Sequence, residues 1–389
     1  MGTHHFVEGD PETLHGEAFL PVEWREWIAS EGERAFRAQQ VFRWLHQRGV
    51  FDPAQMTDLP ASLREKLARA GLGPVASVAH EHASPDGTTK LVVGLRDGAM
   101  IETVLIPMRP AQEADADAGA VDEEGEDDEE GEEEPEAAGT ERVTQCISTQ
   151  VGCAMKCAFC ASGVQGLRRQ MFPEEIEAQA QLGRARLTAG QRLRNVVFMG
   201  SGEPLHNYDA LARAIRLMSD RDGLDLSLRR MTVSTVGITE GIERLGRDFE
   251  GKVGLAISLH AADDETRSRL VPSNTRWNLK KIVEAMRAFP LPKRRRITVE
   301  YALIDGVNDR EVDVRRLAAL LRGVRVKINL IPMNPVDHAR LRPPSAERVV
   351  AFKNALSDAG YTCLIRRRRG DDVSAACGQL VARETGATS

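Results

Sequence analysis

The stretch at residues 153–160, CAMKCAFC, carries Cys153, Cys157 and Cys160 at CxxxCxxC spacing, directly after a strand-like run at 144–149. No fourth cysteine stands at a comparable spacing to complete the closed four-ligand shell of a structural zinc site. Three such thiolates suit an iron–sulfur cluster that leaves one iron open. We predict a cluster that acts on a molecule bound at that iron, with zinc ligation or buried apolar thiols as the alternatives.

The composition restricts the class of protein. Six cysteines in 389 residues are too few for a disulfide scaffold, and the first thirty residues contain no apolar stretch of the secretory type. No run approaches the roughly 20 apolar residues that a transmembrane helix needs. We therefore expect a cytoplasmic protein without a membrane segment, large enough for two or three domains.

Much of the acidic charge lies in one segment. Residues 111–139 contain 15 Asp and Glu and no Lys or Arg, although the whole chain has a formal net charge of −6. A run of this kind is typical of disorder, and we assign 111–140 to an acidic linker. The remainder of the chain is basic, which favours a polyanionic partner such as RNA, although surface Lys and Arg also serve only to solvate a protein.

The remaining segments suggest a division into domains. We expect a flexible N-terminus (1–20), a helical accessory domain (21–75) and a β-hairpin extension (88–110) that turns at Asp97-Gly98. After the linker, residues 141–381 alternate between strands and helices, and 382–389 form a flexible tail. The candidate strands of this part are 144–149, 195–200, 230–236, 253–260, 296–304, 326–332 and 361–366.

Alternating strands and helices predict an α/β fold with a parallel sheet, curled into a full or partial barrel. Reactive residues of such barrels lie where the strands end. The unusual polar residues of this chain fall there: Glu203 follows one strand, Ser234 and His260 close two others, and Asn334 follows a fourth.

Several motifs then occur in a fixed order. They are IETVLIP, CISTQVGCAMKCAFC, MGSGEPLHNYD, VSTVGI, LAISLHA, KINLIPMNP and RRRRGDDVSAACGQL. Together they resemble the RlmN/Cfr family of radical S-adenosylmethionine (SAM) RNA adenine methyltransferases, from about residue 21 to 381. The resemblance implies a partial (β/α)6-type barrel with a small helical N-terminal domain and a β-hairpin extension.

The resemblance also implies the cofactors. Cys153, Cys157 and Cys160 would hold a [4Fe-4S] cluster whose open iron chelates SAM, and two SAM molecules would be used per turnover. An external one-electron donor of the flavodoxin or ferredoxin type would reduce the cluster. The residues that match the SAM contacts of the family are Gly202, Glu203, Ser234, Ser258, Leu259, His260 and Asn334.

Three further residues match the catalytic positions of the family. An adenine ring carbon is electron-poor and does not attack the methyl sulfonium of SAM, so a radical route is needed. By resemblance, Cys377 carries a methyl group from the first SAM and becomes a carbon radical that adds to the base. Cys146 then attacks the sulfur of Cys377 to release the product, and Glu102 takes the ring proton. Inert buried thiols and a surface glutamate are the alternatives.

We expect methylation of adenine, at C2, in 23S rRNA, in tRNA or in both. Methylation at C8, a radical SAM maturase or activase, and a non-enzymatic RNA-binding iron–sulfur protein are the competing hypotheses. One departure is Ser201, which stands where the family usually has methionine. The basic runs 293–296 and 366–369, with Arg168 and Arg169, are candidate phosphate contacts, and Cys363 is expected in the core.

Overall fold

The computed structural model describes residues 15–108, 140–334, 341–366 and 380. Most of the predicted N-terminal segment, nearly all of the acidic linker, the C-terminal tail, Cys377 and residues 367–369 lie outside these ranges. The domain boundaries proposed above stay predictions.

A ten-stranded sheet organises the described residues. The strands of the chain are β1 (Ala76–Ala83), β2 (Thr89–Leu95), β3 (Met100–Met108), β4 (Glu141–Cys146), β5 (Gln150–Gly152), β6 (Leu167–Gln170), β7 (Gln191–Phe198), β8 (Met231–Thr235), β9 (Gly254–Ser258), β10 (Ile297–Leu303), β11 (Val326–Pro332) and β12 (Thr362–Ile365). The sheet order is β1-β2-β3-β4-β7-β8-β9-β10-β11-β12, and β5 pairs with β6 separately. Because β1 and β12 are its two edges, the described sheet forms a partial barrel.

From β4 to β12, each strand of this sheet is parallel to the next one in the sheet order. Helices connect them: α4 (Ala161–Gln165), α5 (Pro173–Arg184), α6 (Tyr208–Ser219), α7 (Thr239–Asp248), α8 (Asp264–Leu270), α9 (Leu279–Ala288), α10 (Glu311–Leu320) and α11 (Ala346–Asp358). This arrangement amounts to six βα units followed by a closing strand. The predicted α/β barrel class is confirmed.

Side chains of the parallel strands alternate between two environments. Residues such as Phe198, Ile257 and Ile328 pack in the main core with apolar residues of the helices. Their neighbours on the other side, such as Thr232 and Asn329, line an internal cavity. This alternation follows from the two-residue period of a strand, and it leaves a polar concave face inside the barrel.

The hairpin at β2 and β3 was predicted, but it is not an isolated extension. β3 pairs antiparallel with β4, with Val104 opposite Cys146, so the hairpin continues the barrel sheet. β1 pairs with β2 and was missed, because half of its sequence ASVAHEHA is polar and the strand is mostly exposed. The three antiparallel strands β1, β2 and β3 therefore extend the barrel sheet beyond its parallel part.

The N-terminal helices α1 (Pro21–Ser30), α2 (Phe36–Phe42) and α3 (Ala61–Arg69) enclose a core of their own, built on Trp24, Phe42 and Leu63. α1 begins with Pro21, and the Glu23 carboxylate accepts the Leu20 backbone N–H at 2.7 Å, as in a capped helix start.

This helical unit is fixed to the barrel helices. Leu217 of α6 belongs to the core of the helical unit. Nδ1 of the buried His46 lies 2.8 Å from Oε1 of Glu177 on α5. No helix in the described ranges combines the length and apolar character required to cross a bilayer.

Candidate cofactor and catalytic site

A cavity of about 1020 Å³ opens at the carboxyl ends of the parallel strands. It brings together residues that are distant in sequence. The predicted site residues on its wall are Cys153, Cys157, Cys160, Gly202, Glu203, Ser234, Ser258, His260 and Asn334. Leu259 is fully buried and is not part of the wall. Glu102 and Cys146 lie elsewhere on the barrel, and Cys377 is outside the described residues.

The three cysteines follow β5 on a tightly packed loop. Lys156 has a positive φ of 56°, and a Cβ on Gly163 would come within 3.0 Å of the Cys157 nitrogen. Burial raises the pKa of Cys153 to about 12 and holds that of Cys157 well above its ordinary value. Thiols in such a setting ionise when a metal binds them, because coordination deprotonates a thiol.

The chemistry of the donor set fits an iron–sulfur cluster. The cysteines supply three soft thiolate ligands on one wall of a roomy cavity. In the described part of the chain, no three His, Cys, Asp or Glu side chains converge to hold a single metal ion. A cluster makes a different demand, since each thiolate binds its own iron.

Gly202 and Glu203 form the loop after β7. Gly202 has φ +108°, and a Cβ there would lie 2.6 Å from the Cβ of Gln150, so a larger residue would displace the loop. The Glu203 carboxylate accepts the backbone N–H groups of Leu205 at 3.1 Å and Val236 at 2.8 Å. Burial raises its pKa to about 7. This fixed carboxylate can accept hydrogen bonds from an amino group in the cavity.

The ends of β8 and β9 form the next part of the wall. The hydroxyl oxygens of Ser234 and Ser258 are 3.3 Å apart. His260 has φ 59°, and its Nδ1 accepts the Ala302 N–H at 2.9 Å. Burial, with a smaller contribution from Arg267, lowers its pKa to about 3, so the ring is neutral and carries its hydrogen on Nε2. The Nε2–H group is therefore held in position to donate a hydrogen bond. The ring centroids of His260 and Phe159 are 4.7 Å apart.

Sequence reasoning missed Arg267, a fully buried arginine on α8. Its guanidinium donates to the carbonyl oxygens of Val236 at 2.6 Å, Leu259 at 3.0 Å and Ser258 at 3.3 Å. It therefore ties together the ends of two strands that carry site residues. The surrounding sequence, DETRSRL, resembles an ordinary exposed helix and gives no signal of this role.

We expect Arg267→Met to lower the free energy of unfolding by more than about 3 kcal/mol, because several buried carbonyls would lose their donor at about 1–3 kcal/mol each. Urea denaturation of the purified protein measures this change. Arg276→Met is the matched control, since the Arg276 side chain is 70% exposed. Equal stability of the two variants would contradict the role assigned to Arg267.

Glu102 and Cys146 share the concave face on neighbouring strands. Glu102 and Val104 are two residues apart on β3, and Val104 pairs with Cys146, so all three side chains lie on one face. Glu102 is 4% exposed, and its Oε1 is 3.1 Å from Nζ of Lys90. Its Oε2 is buried without a hydrogen-bond partner among the described residues. One carboxylate oxygen is anchored, and the other is available.

Leu380 brings the C-terminal part of the chain to the same place. It packs in a cluster with Val104, Cys146 and Val197, and it also lines the cavity of the cysteines. Its carbonyl accepts the Ser162 hydroxyl at 2.7 Å. The residue three positions beyond Cys377 is therefore held between the cysteine loop and Cys146.

Other predicted residues have different environments. Cys363 lies in the main core, as predicted. Arg169 donates to Glu175 at 2.8 Å and to Asp97 at 2.6 Å, so it links α5 to the β2–β3 turn. Ser201 is buried, and its backbone N–H donates to the Ser148 hydroxyl at 2.9 Å.

Comparisons with known proteins agree with this geometry. Residues 147–318 match the family model of the radical SAM superfamily. Residues 21–71 match the model of the ribosomal RNA large subunit methyltransferase N-terminal domain. The first match includes the cysteine loop and the barrel strands β7 to β10, and the second covers the N-terminal helices.

Curated relatives match over nearly the whole chain. The dual-specificity RNA methyltransferase RlmN of Sorangium cellulosum (strain So ce56) is 60% identical over 371 residues, 95% of each protein. RlmN 2 of Myxococcus xanthus (strain DK1622) is 43% identical and covers 96% of this chain, with 92% of the relative covered.

A solved structure is also similar. The crystal structure of a radical SAM methyltransferase from Sphaerobacter thermophilus superposes with a TM-score of 0.82 at 38% identity, covering 94% of this chain and 99% of the other. With the cysteine cavity and the full-length matches taken together, this chain belongs to the RlmN family of radical SAM RNA methyltransferases.

Proposed function

We propose that this enzyme methylates adenine at C2 in both 23S rRNA and tRNA, through an S-methylcysteine on Cys377. The names of its relatives, dual-specificity RNA methyltransferases, suggest two RNA classes. The observation that carries the proposal is the shared concave face of Glu102, Cys146 and Leu380, which adjoins the cysteine cavity. We expect an enzyme that acts on these RNAs to be located in the cytoplasm.

The residues of the cavity divide into two groups. Cys153, Cys157 and Cys160 would hold a [4Fe-4S] cluster, while Glu203 and the polar ends of β8, β9 and β11 would hold SAM. When bound, these groups supply a one-electron cleavage of SAM that yields a hydrogen-abstracting carbon radical. An external reductant of the flavodoxin or ferredoxin type would supply the electron. The first SAM of each turnover would donate its methyl group to Cys377, and the second would be the one that is cleaved.

Cys377 acts as the methyl carrier in this scheme. Its S-methyl group loses a hydrogen atom, and the remaining carbon forms a bond to the adenine ring. Three residues span at most about 11 Å, so the anchored Leu380 keeps the carrier within reach of Cys146. The Cys146 thiolate then attacks the sulfur of Cys377, a disulfide forms, and the bond between sulfur and methylene carbon breaks.

Release of the product requires two proton movements and the loss of one electron, because the adduct is a radical whereas the disulfide and the methylated base have only paired electrons. An oxidised one-electron carrier of the flavodoxin or ferredoxin type accepts that electron. The ring proton at the attacked carbon leaves to Glu102, whose Oε2 is available while Lys90 holds Oε1. The methylene carbon gains a proton as the sulfur departs and becomes the methyl group. The disulfide must then be reduced before the next turnover. Among the described cysteines, all are free thiols.

The test is mass spectrometry of digested rRNA and tRNA after reaction with the anaerobically reconstituted enzyme. New 2-methyladenosine in both RNAs is the expected result, and the position of the methyl group separates C2 from C8 chemistry. If the enzyme cleaves SAM but neither RNA gains a methyladenosine, the proposed function fails.

Glu102→Gln is expected to lower the rate of methyladenosine formation by about 100-fold or more, because general base catalysis contributes about 10²–10⁴. SAM cleavage should persist, since Glu102 is not part of the cysteine cavity. Single-turnover assays measure both products. Glu81→Gln is the control, a glutamate on β1 whose side chain is 50% exposed. A Glu102→Gln rate equal to that of the control would remove Glu102 from the mechanism.

A further inference from the structure

A second cavity, of about 820 Å³, lies inside the barrel at the amino ends of the strands. Arg229 and Arg230 on its wall directly precede β8, and Arg295 and Arg296 directly precede β10. Lys327 near the start of β11 completes the basic group, which we call the basic chamber.

The charged side chains on the described wall of the chamber are mostly positive. Among the described residues on its wall, five are cationic and Glu300 is the one carboxylate. Oε1 of Glu300 accepts a hydrogen bond from the Asn329 amide at 3.1 Å. Several cations on the wall of one cavity create a field that attracts an anion, and the planar guanidinium group matches the geometry of phosphate.

Two of the arginines are held in place by hydrogen bonds to other parts of the fold. Arg295 donates to the carbonyl oxygens of Lys252 at 2.6 Å and Arg229 at 3.3 Å. Arg296 donates to the Thr362 hydroxyl at 2.7 Å. These bonds orient the guanidinium groups before any ligand arrives, so the chamber is pre-organised for a negatively charged ligand.

The chamber is continuous with the catalytic face. Met199 and Glu300 line both this cavity and the cavity of the cysteines. Val197 also lines the chamber, and it pairs with Cys146 on the neighbouring strand. A nucleotide whose base reached Cys146 would therefore have the chamber directly beside it.

We propose that the basic chamber binds backbone phosphate of the RNA substrate, so that RNA enters the barrel from the amino ends of its strands. SAM would be held at the opposite, carboxyl end, by the residues assigned to it above. This inference rests on the proposed function, and it adds a phosphate site and a direction of entry. RNA and SAM would then bind without competing for one opening.

The test compares two triple variants with equal loss of charge. The chamber variant, Arg229→Gln/Arg230→Gln/Lys327→Gln, removes three of the five positive charges on the described chamber wall. It leaves Arg295 and Arg296 in place, because Arg295 donates to the backbone carbonyl of Arg229, which the substitution retains. Arg247→Gln/Arg276→Gln/Arg315→Gln is the control on outer helices and loops, where these side chains are 66–70% exposed. Binding of unmodified tRNA transcript is measured across a salt series, and melting temperatures verify folding.

We expect the chamber variant to bind tRNA at least about tenfold more weakly than the control variant, as loss of bonds to charged groups implies. For this variant, the slope of log affinity against log salt concentration should become shallower by about 0.7 for each phosphate group that is no longer neutralised. SAM cleavage in the absence of RNA should match the wild type.

Affinity and salt slope equal to those of the control would overturn the proposal and leave the chamber to a small phosphate-bearing ligand. Methylation by the wild-type enzyme is assayed in the same preparations. If the wild type methylates tRNA while the two triple variants behave alike, the inference fails and the proposed function stands. If the wild type methylates no RNA, the proposed function fails first.

Discussion

Replacing Cys157 by alanine is expected to remove bound iron, SAM cleavage and RNA methylation together. Two thiolates cannot hold three irons of a cluster, and Cys157 lies in the middle of the cysteine loop on the cavity wall. Iron analysis, visible absorbance after anaerobic reconstitution and assays of deoxyadenosine and methyladenosine report the three losses. We expect all of them to fall to background.

Cys363→Ala is the matched control for this experiment. Cys363 is also a buried cysteine, but it lies on β12 in the main core and not on the cavity wall. This variant should retain iron and both activities. Iron retained at wild-type level by the Cys157 variant would contradict the assignment of the triplet as cluster ligands.

Cys377→Ala is expected to separate the two activities that the Cys157 variant loses together. The residues assigned to the cluster and to SAM are unchanged, so deoxyadenosine should still form. Without the thiol, no carbon can be carried to the adenine, and methyladenosine should be absent. Chromatography of small molecules and mass spectrometry of digested RNA measure the two products.

Cys146→Ala completes this comparison, because it leaves the carrier intact and removes the thiol that releases it. The base should then remain covalently attached to the protein, which denaturing gels of labelled RNA would reveal. Methyladenosine formed by the Cys377 variant would require another methyl carrier and would sink the S-methylcysteine route.

The sequence was informative where local pattern and chemistry coincide. Alternating strands and helices predicted the barrel, and the rule that reactive groups follow parallel strands brought Glu203, Ser234, His260 and Asn334 to one cavity. The motifs also located Glu102 and Cys146. That these two share a face depends on the register between β3 and β4, which no local pattern specifies.

Other features depend on distant partners and were not predictable. Arg267 reads as a surface arginine, yet the fold closes around it and surrounds it with carbonyl groups. The basic residues of the chamber lie just before β8 and β10 and near the start of β11, and only the curvature of the sheet makes them one group. β1 was missed because an edge strand exposed to solvent has little need of apolar side chains.

The hydrogen bond between the Ser162 hydroxyl and the Leu380 carbonyl connects the region of the cysteine loop to the C-terminal part of the chain. Ser162 belongs to α4, the short helix that begins immediately after Cys160. A change in the loop of Cys153, Cys157 and Cys160 would therefore be transmitted to Leu380, three residues beyond the proposed methyl carrier. We therefore expect oxidative loss of the proposed cluster to shift Leu380 as well as to end SAM cleavage.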